Sequence, residues 1–223
     1  MTSKLNVKLN VEATPDLEAQ IIMDSHTSDD VIKARGNGNL QIEIDNNINV
    51  KIYGNYEITE GEYNFSFQGA LRKKFEVDNE SSISFDGDPM TNCNMNINAK
   101  YQTTASLSDL LESSVTSYLN SNIVKVDCIA NITGPLLQPI IKFDIKLPTA
   151  EEEVQRLVKA AINTDDMMSQ QMVSLLLLGR FYNPSVTQTS TSNYSTQLAT
   201  SFATATISSQ LNYWLSQISN NVN

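Results

Sequence analysis

The sequence predicts a mainly β protein: an extended, curled, antiparallel-rich sheet, taco-like or open-barrel-like, with one apolar face, followed by C-terminal α-helices. Three observations predict it. Apolar and polar residues alternate through almost all of residues 4 to 147, the period-2 signature of strands with one dry and one wet face. Gly, Pro, Asn and Asp break that alternation at short intervals, as turn formers do. After Leu147 the spacing of apolar residues changes to the helical period.

In the first strand Leu5, Val7, Leu9, Val11 and Ala13 share the dry face, and Lys4, Asn6, Lys8, Asn10 and Glu12 the wet one. Thr14-Pro15-Asp16 interrupts it, and Leu17, Ala19, Ile21 and Met23 resume the phase. The polar loop Ser25 to Asp30 carries the only histidine, His26, which has no second His or Cys near it and is expected to be a loop residue rather than a metal ligand. Ile32 and Ala34 lead to an expected turn at Gly36-Asn37-Gly38; Leu40, Ile42 and Ile44 follow, then a turn at Asn46-Asn47 and a strand with Ile48, Val50 and Ile52.

The stretch from Gly54 to Pro89 has the clearest pattern. Tyr56 and Ile58 alternate with Asn55 and Glu57, and Tyr63, Phe65 and Phe67 with Glu62, Asn64, Ser66 and Gln68; Ile83 and Phe85 sit between serines. Gly61, Asp78-Asn79 and Asp86-Gly87-Asp88-Pro89 are expected to turn the chain. Cys93, Met95, Ile97 and Ala99 then alternate with four asparagines, while residues 102 to 122 lack alternation and suit a mobile insert or a short helix around Leu107, Leu110 and Leu111. Strands at 123–133 and 140–147 close the sheet, the second with Ile141, Phe143, Ile145 and Leu147 on one face. Cys93 and Cys128 both fall on the apolar phase, where buried free thiols are the default.

Thr149 and Glu152 have capping-box spacing, followed by Val154, Leu157, Val158, Ala161 and Ile162 at helical spacing. A second helix is expected from Thr164, with Asp165 and Asp166 at its positive end, to a stop at Gly179. Pro184 to Asn193 is polar and Ser/Thr-rich. Beyond it, 195–219 has helical spacing, but Leu198 and Phe202 lie on nearly the opposite side from Ile207, Leu211, Trp214, Leu215 and Ile218. The expected organisation is a curled sheet with an apolar groove over 1–147, a helical cap over 148–183, and a linker plus amphipathic helix over 184–223.

With a net charge of -10, the chain is a poor nucleic-acid ligand and is repelled by anionic surfaces. No apolar run reaches membrane-spanning length, and no signal peptide is evident. One histidine leaves no Ser-His-Asp or His-metal set, neither Cys has a base nearby, and Asp86 and Asp88 lack the further oxygens of a calcium loop; neither an enzyme nor a cofactor is expected. What remains is geometry. About ten strands at ~4.8 Å spacing make an apolar strip roughly 45 Å long, which must fold on itself, be covered, or hold apolar ligand. Phe65, Phe67, Ile83, Phe85, Met95, Ile97, Val126 and Ile141 are the expected lining. Ile207, Leu211, Trp214 and Ile218, at 4-3-4 spacing, are the expected row for a partner or a second copy of the chain.

The order G-x-Y-x-I-x-x-G-x-Y-x-F, then S-I-x-F-x-G-D-P, resembles the C-terminal region of the TamB family of AsmA-like envelope proteins. Four further segments resemble the family: KARGNGNL at 33–40, in its Bacteroidetes-type members, LQPIIKFDIKLP at 137–148, NTDDMMSQQMVSLLLLGRFY at 163–182, and the final TISSQLNYWLSQIS. Unlike the family pattern, the chain stops just after that helix, without a last set of strands, a membrane anchor or the long repeated β region. It therefore resembles an excised piece. The resemblance implies a periplasmic part of an inner-membrane-anchored protein that moves phospholipid between membranes, assists outer-membrane protein assembly or secretion, and meets an outer-membrane barrel of the TamA type. The alternative is a structural or adhesive β-domain whose core closes without lipid.

Overall fold

A computed structural model describes residues 6–22, 31–67, 71–111, 116 and 122–183. Its strands are β1 (Val7–Ala13), β2 (Glu18–Ile22), β3 (Val31–Ile44), β4 (Val50–Phe67), β5 (Leu71–Val77), β6 (Ser82–Gly87), β7 (Cys93–Ser106), β8 (Ile123–Gly134) and β9 (Ile140–Lys146). They form a nine-stranded sheet in the order β1-β3-β4-β5-β7-β8-β9, with β2 also on β3 and β6 between β4 and β7; it is not a closed barrel. Two helices follow, α1 (Glu152–Ala161) and α2 (Asp165–Leu178). The chain divides into two compact units, Met1–Tyr101 with Ile129–Lys142, and Gln102–Cys128 with Phe143–Asn223.

In the first unit, two long strands are flanked by split ones. β3 pairs through its second half with β1 and through its first half with β2, all antiparallel. β4 pairs along its length with β3, and on its other side with β6 through residues 52–57 and with β5 through residues 61–67. The turn at Asp78 separates β5 from β6 without breaking the ladder. Ser81, buried at that point, accepts the Ile58 N–H on its carbonyl at 2.9 Å and the Asn98 N–H on its hydroxyl at 3.0 Å. Two backbone donors, of buried Ile58 and half-buried Asn98, are thereby satisfied where the ladder passes from β5 to β6.

Two expected turns are strand. Gly36-Asn37-Gly38 lies inside β3, paired to Ile58, Glu57 and Tyr56. A Cβ on Gly36 would lie 2.0 Å from the Glu57 carbonyl oxygen, and one on Gly38 3.2 Å from Cδ2 of Tyr56. The Tyr56 ring runs from there along β3 to Ala34, whose carbonyl accepts its hydroxyl at 3.2 Å. These glycines let the β4 backbone lie close against β3 rather than reverse the chain. The nearest obstacle to a Cβ is a β4 carbonyl oxygen at both positions, that of Glu57 at Gly36 and that of Asn55, 2.7 Å away, at Gly38, where the Tyr56 ring adds a further contact. Gly61 also lies within a strand. The pairing of β3 with β4 shifts between Arg35/Gly36, leaving Thr59 as an extra residue whose hydroxyl donates to the Arg35 carbonyl at 3.1 Å. This bulge changes the parity of β4, so Tyr56 and Ile58 before it and Tyr63 and Phe65 after it share one face. The expected insert after residue 101 begins as strand, since β7 continues to Ser106 before a 3-10 turn at Leu107–Asp109.

The β3–β4 connection falls at Asn46-Asn47 as expected, but the positive φ belongs to Ile48 (62°), which lies outside β4. Asp45 organises this loop: its carboxylate accepts the N–H groups of Asn47 (2.8 Å) and Asn49 (2.9 Å) and the Asn49 side-chain amide (2.8 Å). Those bonds, first the one from the Asn49 side chain, hold its carboxyl below the usual carboxylate range.

In the second unit, α1 buries Val154 and Val158, one turn apart. Its N-cap is Glu151, without a side-chain cap bond, so the Thr149–Glu152 box does not form. α2 agrees with expectation: the Thr164 hydroxyl accepts the Met167 N–H, and Gly179 ends the helix at φ 66. Beyond that stop the chain is strapped back to the helix. Buried Gln171 donates to the Tyr182 carbonyl (2.9 Å) and accepts the Tyr182 N–H (2.8 Å), and Ser174 donates to the Arg180 carbonyl (2.8 Å), while Phe181 is buried. Met172 is buried and Met168 half-buried.

Candidate functional site

The cross-strand register assembles the dry face of the first unit into rows. Directly opposite residues share a face in an antiparallel sheet. Ile21, Ile32, Tyr63 and Phe75 make one row; Ala19, Ala34, Gly61, Val77 and Ala99 the next; and Ala13, Gly38, Tyr56, Ile83 and Met95 lie beyond the bulge. Further on come Val11, Leu40, Gly54, Phe85 and Cys93, then Leu9, Ile42 and Ile52, and finally Val7, Ile44 and Val50.

These rows are not equally covered. Ile32, Tyr63, Phe75, Ile58, Tyr56, Ile83 and Met95 are all buried, and burial raises the Tyr56 phenol above its ordinary range. Leu40, Ile42, Ile44, Ile52 and Phe85 are half-buried, Val50 is 37% exposed and Leu9 45% exposed. The opposite face carries cross-strand ion pairs: Lys8–Glu43 (3.0 Å), Arg35–Glu18 (3.8 Å), Arg35–Glu60 (3.7 Å) and Lys74–Glu62. The Lys74 ammonium bound to Glu62 is the main reason its carboxyl titrates low.

At the far end of β4, Tyr63, Phe65 and Phe75 are mutually in contact, centroids 5.9 to 6.1 Å apart, and Phe75 meets Tyr101 at 5.8 Å. Lys73 belongs to this face, since it pairs directly with Phe65. Its ammonium is 3.2 Å from the Tyr101 hydroxyl and 5.0 Å from the ring centroid.

Of the expected lining residues, Ile83 and Met95 are directly paired and buried, Phe85 occupies the next row, and Phe65 joins the aromatic cluster. Ile97 is buried on β7 and Ile141 half-buried on β9. Val126 is buried in the second unit, and Phe67 is placed in β4 with its side chain outside the described residues. The row Ile207, Leu211, Trp214 and Ile218 also lies outside them. Lys73, Phe75 and Tyr101 were not among the expected residues, although Lys73 stands two positions before Phe75 in the apolar phase.

Catalytic chemistry has little to build on among the described residues. No group of three or more His, Cys, Asp or Glu is placed to hold a metal ion. Both cysteines are buried free thiols, and burial, reinforced by Asp127, pushes Cys128 up to about 12, far from a nucleophilic thiolate at neutral pH. No described helix is long and apolar enough to cross a membrane.

The family model for the TamB C-terminal domain matches residues 1–223, the whole chain. The chain belongs to the TamB C-terminal domain family. No curated protein and no solved structure matches it. TamB membership places it with the cell-envelope proteins, in a family of non-enzymatic modules that works with TamA-type partners. It also gives the mostly antiparallel sheet with one dry face a biological setting.

Proposed function

We propose that the dry face of the first unit receives acyl chains, and that the protein serves as a periplasmic section of a phospholipid conduit between inner and outer membranes. In this reading it belongs to an inner-membrane-anchored protein, and it assists outer-membrane protein assembly or secretion through a barrel partner of the TamA type. The observation that supports it is the half-exposed continuation of the apolar rows: Leu9, Leu40, Ile42, Ile44, Val50, Ile52 and Phe85 extend the face past its buried part without a polar interruption. An apolar surface of that continuity calls for an apolar occupant.

The competing reading, a structural or adhesive β-domain with a closed core, draws on the buried rows around Tyr63 and Phe75, where side chains already fill the space. Site-specific photocrosslinking separates the two. A photoreactive phenylalanine at Ile42 should label phospholipid in cells, whereas the same residue at Asn55, on the wet face, should not. Equal labelling at both sites, or none, removes the lipid reading. For the row Ile207, Leu211, Trp214 and Ile218 we keep a role in partner binding or self-association. Light scattering on wild type and Leu211→Glu/Trp214→Glu tests self-association: a monomeric wild type with an unchanged variant excludes it.

A further inference from the structure

Lys73 occupies an unusual place in the first unit. Across the paired rows of its dry face, it is the single charged side chain among the described residues. Its neighbours in the run Arg72-Lys73-Lys74 point to the other side, where Lys74 pairs with Glu62. A lysine at an apolar margin ordinarily extends its stem along the surface and carries its ammonium into water. Here the ammonium is held back by the ring and hydroxyl of Tyr101. No carboxylate lies within ion-pair distance of it among the described residues. Tyr101 uses one of three ammonium donors, which leaves two for a further acceptor.

The surroundings define what that acceptor is attached to. Tyr63 and Phe75 are buried beside it, while Phe65, Tyr101 and Lys73 itself are half-buried, so the ammonium sits where the dry face meets solvent. The pairing of β5 with β7 is confined to Glu76–Lys100 and Val77–Ala99. Side chains of Phe75 and Tyr101, rather than ladder bonds, therefore face each other beside Lys73. A cation at the margin of an aromatic surface complements a molecule with an anionic head and a hydrocarbon tail.

We propose that Lys73, with Tyr101, anchors the anionic head of an acyl amphiphile, a carboxylate or a phosphate monoester, whose chain lies against Phe65, Phe75 and Tyr63. This rests on the reading that the dry face receives acyl chains, and adds to it a charge preference and an orientation, head at the Lys73 margin.

The test titrates delipidated whole chain at pH 8 with a fluorescent polyene fatty acid and with the corresponding neutral alcohol. Wild type should bind the acid about tenfold tighter, the difference one additional charge-assisted bond makes. Lys73→Met should abolish that preference and leave alcohol binding unchanged, and Lys73→Arg should retain it. A monoacyl glycerophosphate should displace the acid, whereas inorganic phosphate at equal concentration should not. If acid and alcohol bind wild type equally, the anchor is wrong and the acyl-binding face stands; if neither binds, both fail. Displacement by inorganic phosphate would reveal a simple anion site and overturn the amphiphile assignment. Should Lys73→Met fail to fold, the acid-to-alcohol ratio of the wild type decides alone.

Discussion

Two stretches of the same sheet face, drawn from the same strands β3 and β4, differ in how they are covered. Around Ile32, Tyr63 and Phe75 the apolar side chains are shut off from water, and the buried ring of Tyr56 lies beside Gly38 with its hydroxyl on the Ala34 carbonyl. Around Leu9, Ile42 and Ile52 equally apolar side chains remain half in water. Both stretches contain aliphatic side chains beside small residues. Aromatic content separates them: the closed stretch holds three aromatic rings against each other, whereas the open stretch is aliphatic apart from Phe85. A filled core gives stability and an unfilled one gives a place for a ligand, so the two properties are divided along one pair of strands.

The largest expected effect tests that division directly. Ile32→Asp places an unpaired carboxylate in a fully buried site, costing several kcal/mol, and should leave the chain unfolded by circular dichroism. Ile42→Asp, at the half-exposed position, should remain folded and lose only binding of an apolar probe. The milder pair follows the same logic: Phe75→Ala should cost about 3 to 5 kcal/mol in denaturant midpoints, and Ile42→Ala about 1 kcal/mol. Equal losses at the two sites would show that the open end is as closely packed as the other.

Next in size is Gly36→Ala, at the junction of the two stretches. The added methyl meets the Glu57 carbonyl oxygen at 2.0 Å, so β3 and β4 must part there, at a cost of about 3 kcal/mol. Because the obstacle is backbone, trimming Tyr56 should not rescue it. A rescue by Tyr56→Leu would mean that the ring, not the strand spacing, demands the glycine.

How far the residues alone reveal this arrangement depends on which rule each one follows. Alternation in β1, β6, β7 and β8 is legible because each has one face dry and no irregularity. The misleading positions are glycines. Gly36-Asn37-Gly38 has turn composition, but what it accommodates is the close-lying backbone of β4, which no local pattern discloses. Gly61 looks like a break because the apolar parity changes between Ile58 and Tyr63, and a bulge at Thr59 changes parity just as a turn would. Lys73 was readable in principle, from Lys73, Phe75 and Val77 at period 2, but a basic run suggests a wetted surface until the register shows which of its members turns inward. The Thr149 box fails because the helix begins at Glu152, too late for that spacing.

A smaller effect is expected where the open stretch ends, in the loop between Ile44 and Val50. Ile48, a β-branched residue at φ 62, is 80% exposed and gains little from burial while bearing left-handed strain. Ile48→Asn should raise stability by about 1 kcal/mol, because Asn adopts that conformation readily. If the open stretch is made for ligand, this gain should leave acyl-probe affinity unchanged. A fall in affinity would place Ile48 among the side chains that contact ligand.

The smallest effect concerns Asp45 in the same loop, and its sign follows from its bonds. The folded carboxyl is held below its ordinary value by the Asn49 side chain first, then by the Asn49 and Asn47 backbone N–H groups, so folding favours the carboxylate. Its contribution is therefore complete above the unfolded value, near 3.8, and fades as pH falls through the lower folded one. Asp45→Asn keeps the size of the side chain but loses the charge that draws three donors together. Thermal midpoints of wild type and Asp45→Asn should differ at pH 7 and converge as pH drops below 4. The closed stretch offers a control, because Phe75→Ala removes no titrating group and its deficit should persist across that range. A wild-type advantage over Asp45→Asn that survives undiminished at pH 2 would mean that the advantage does not come from the carboxylate charge.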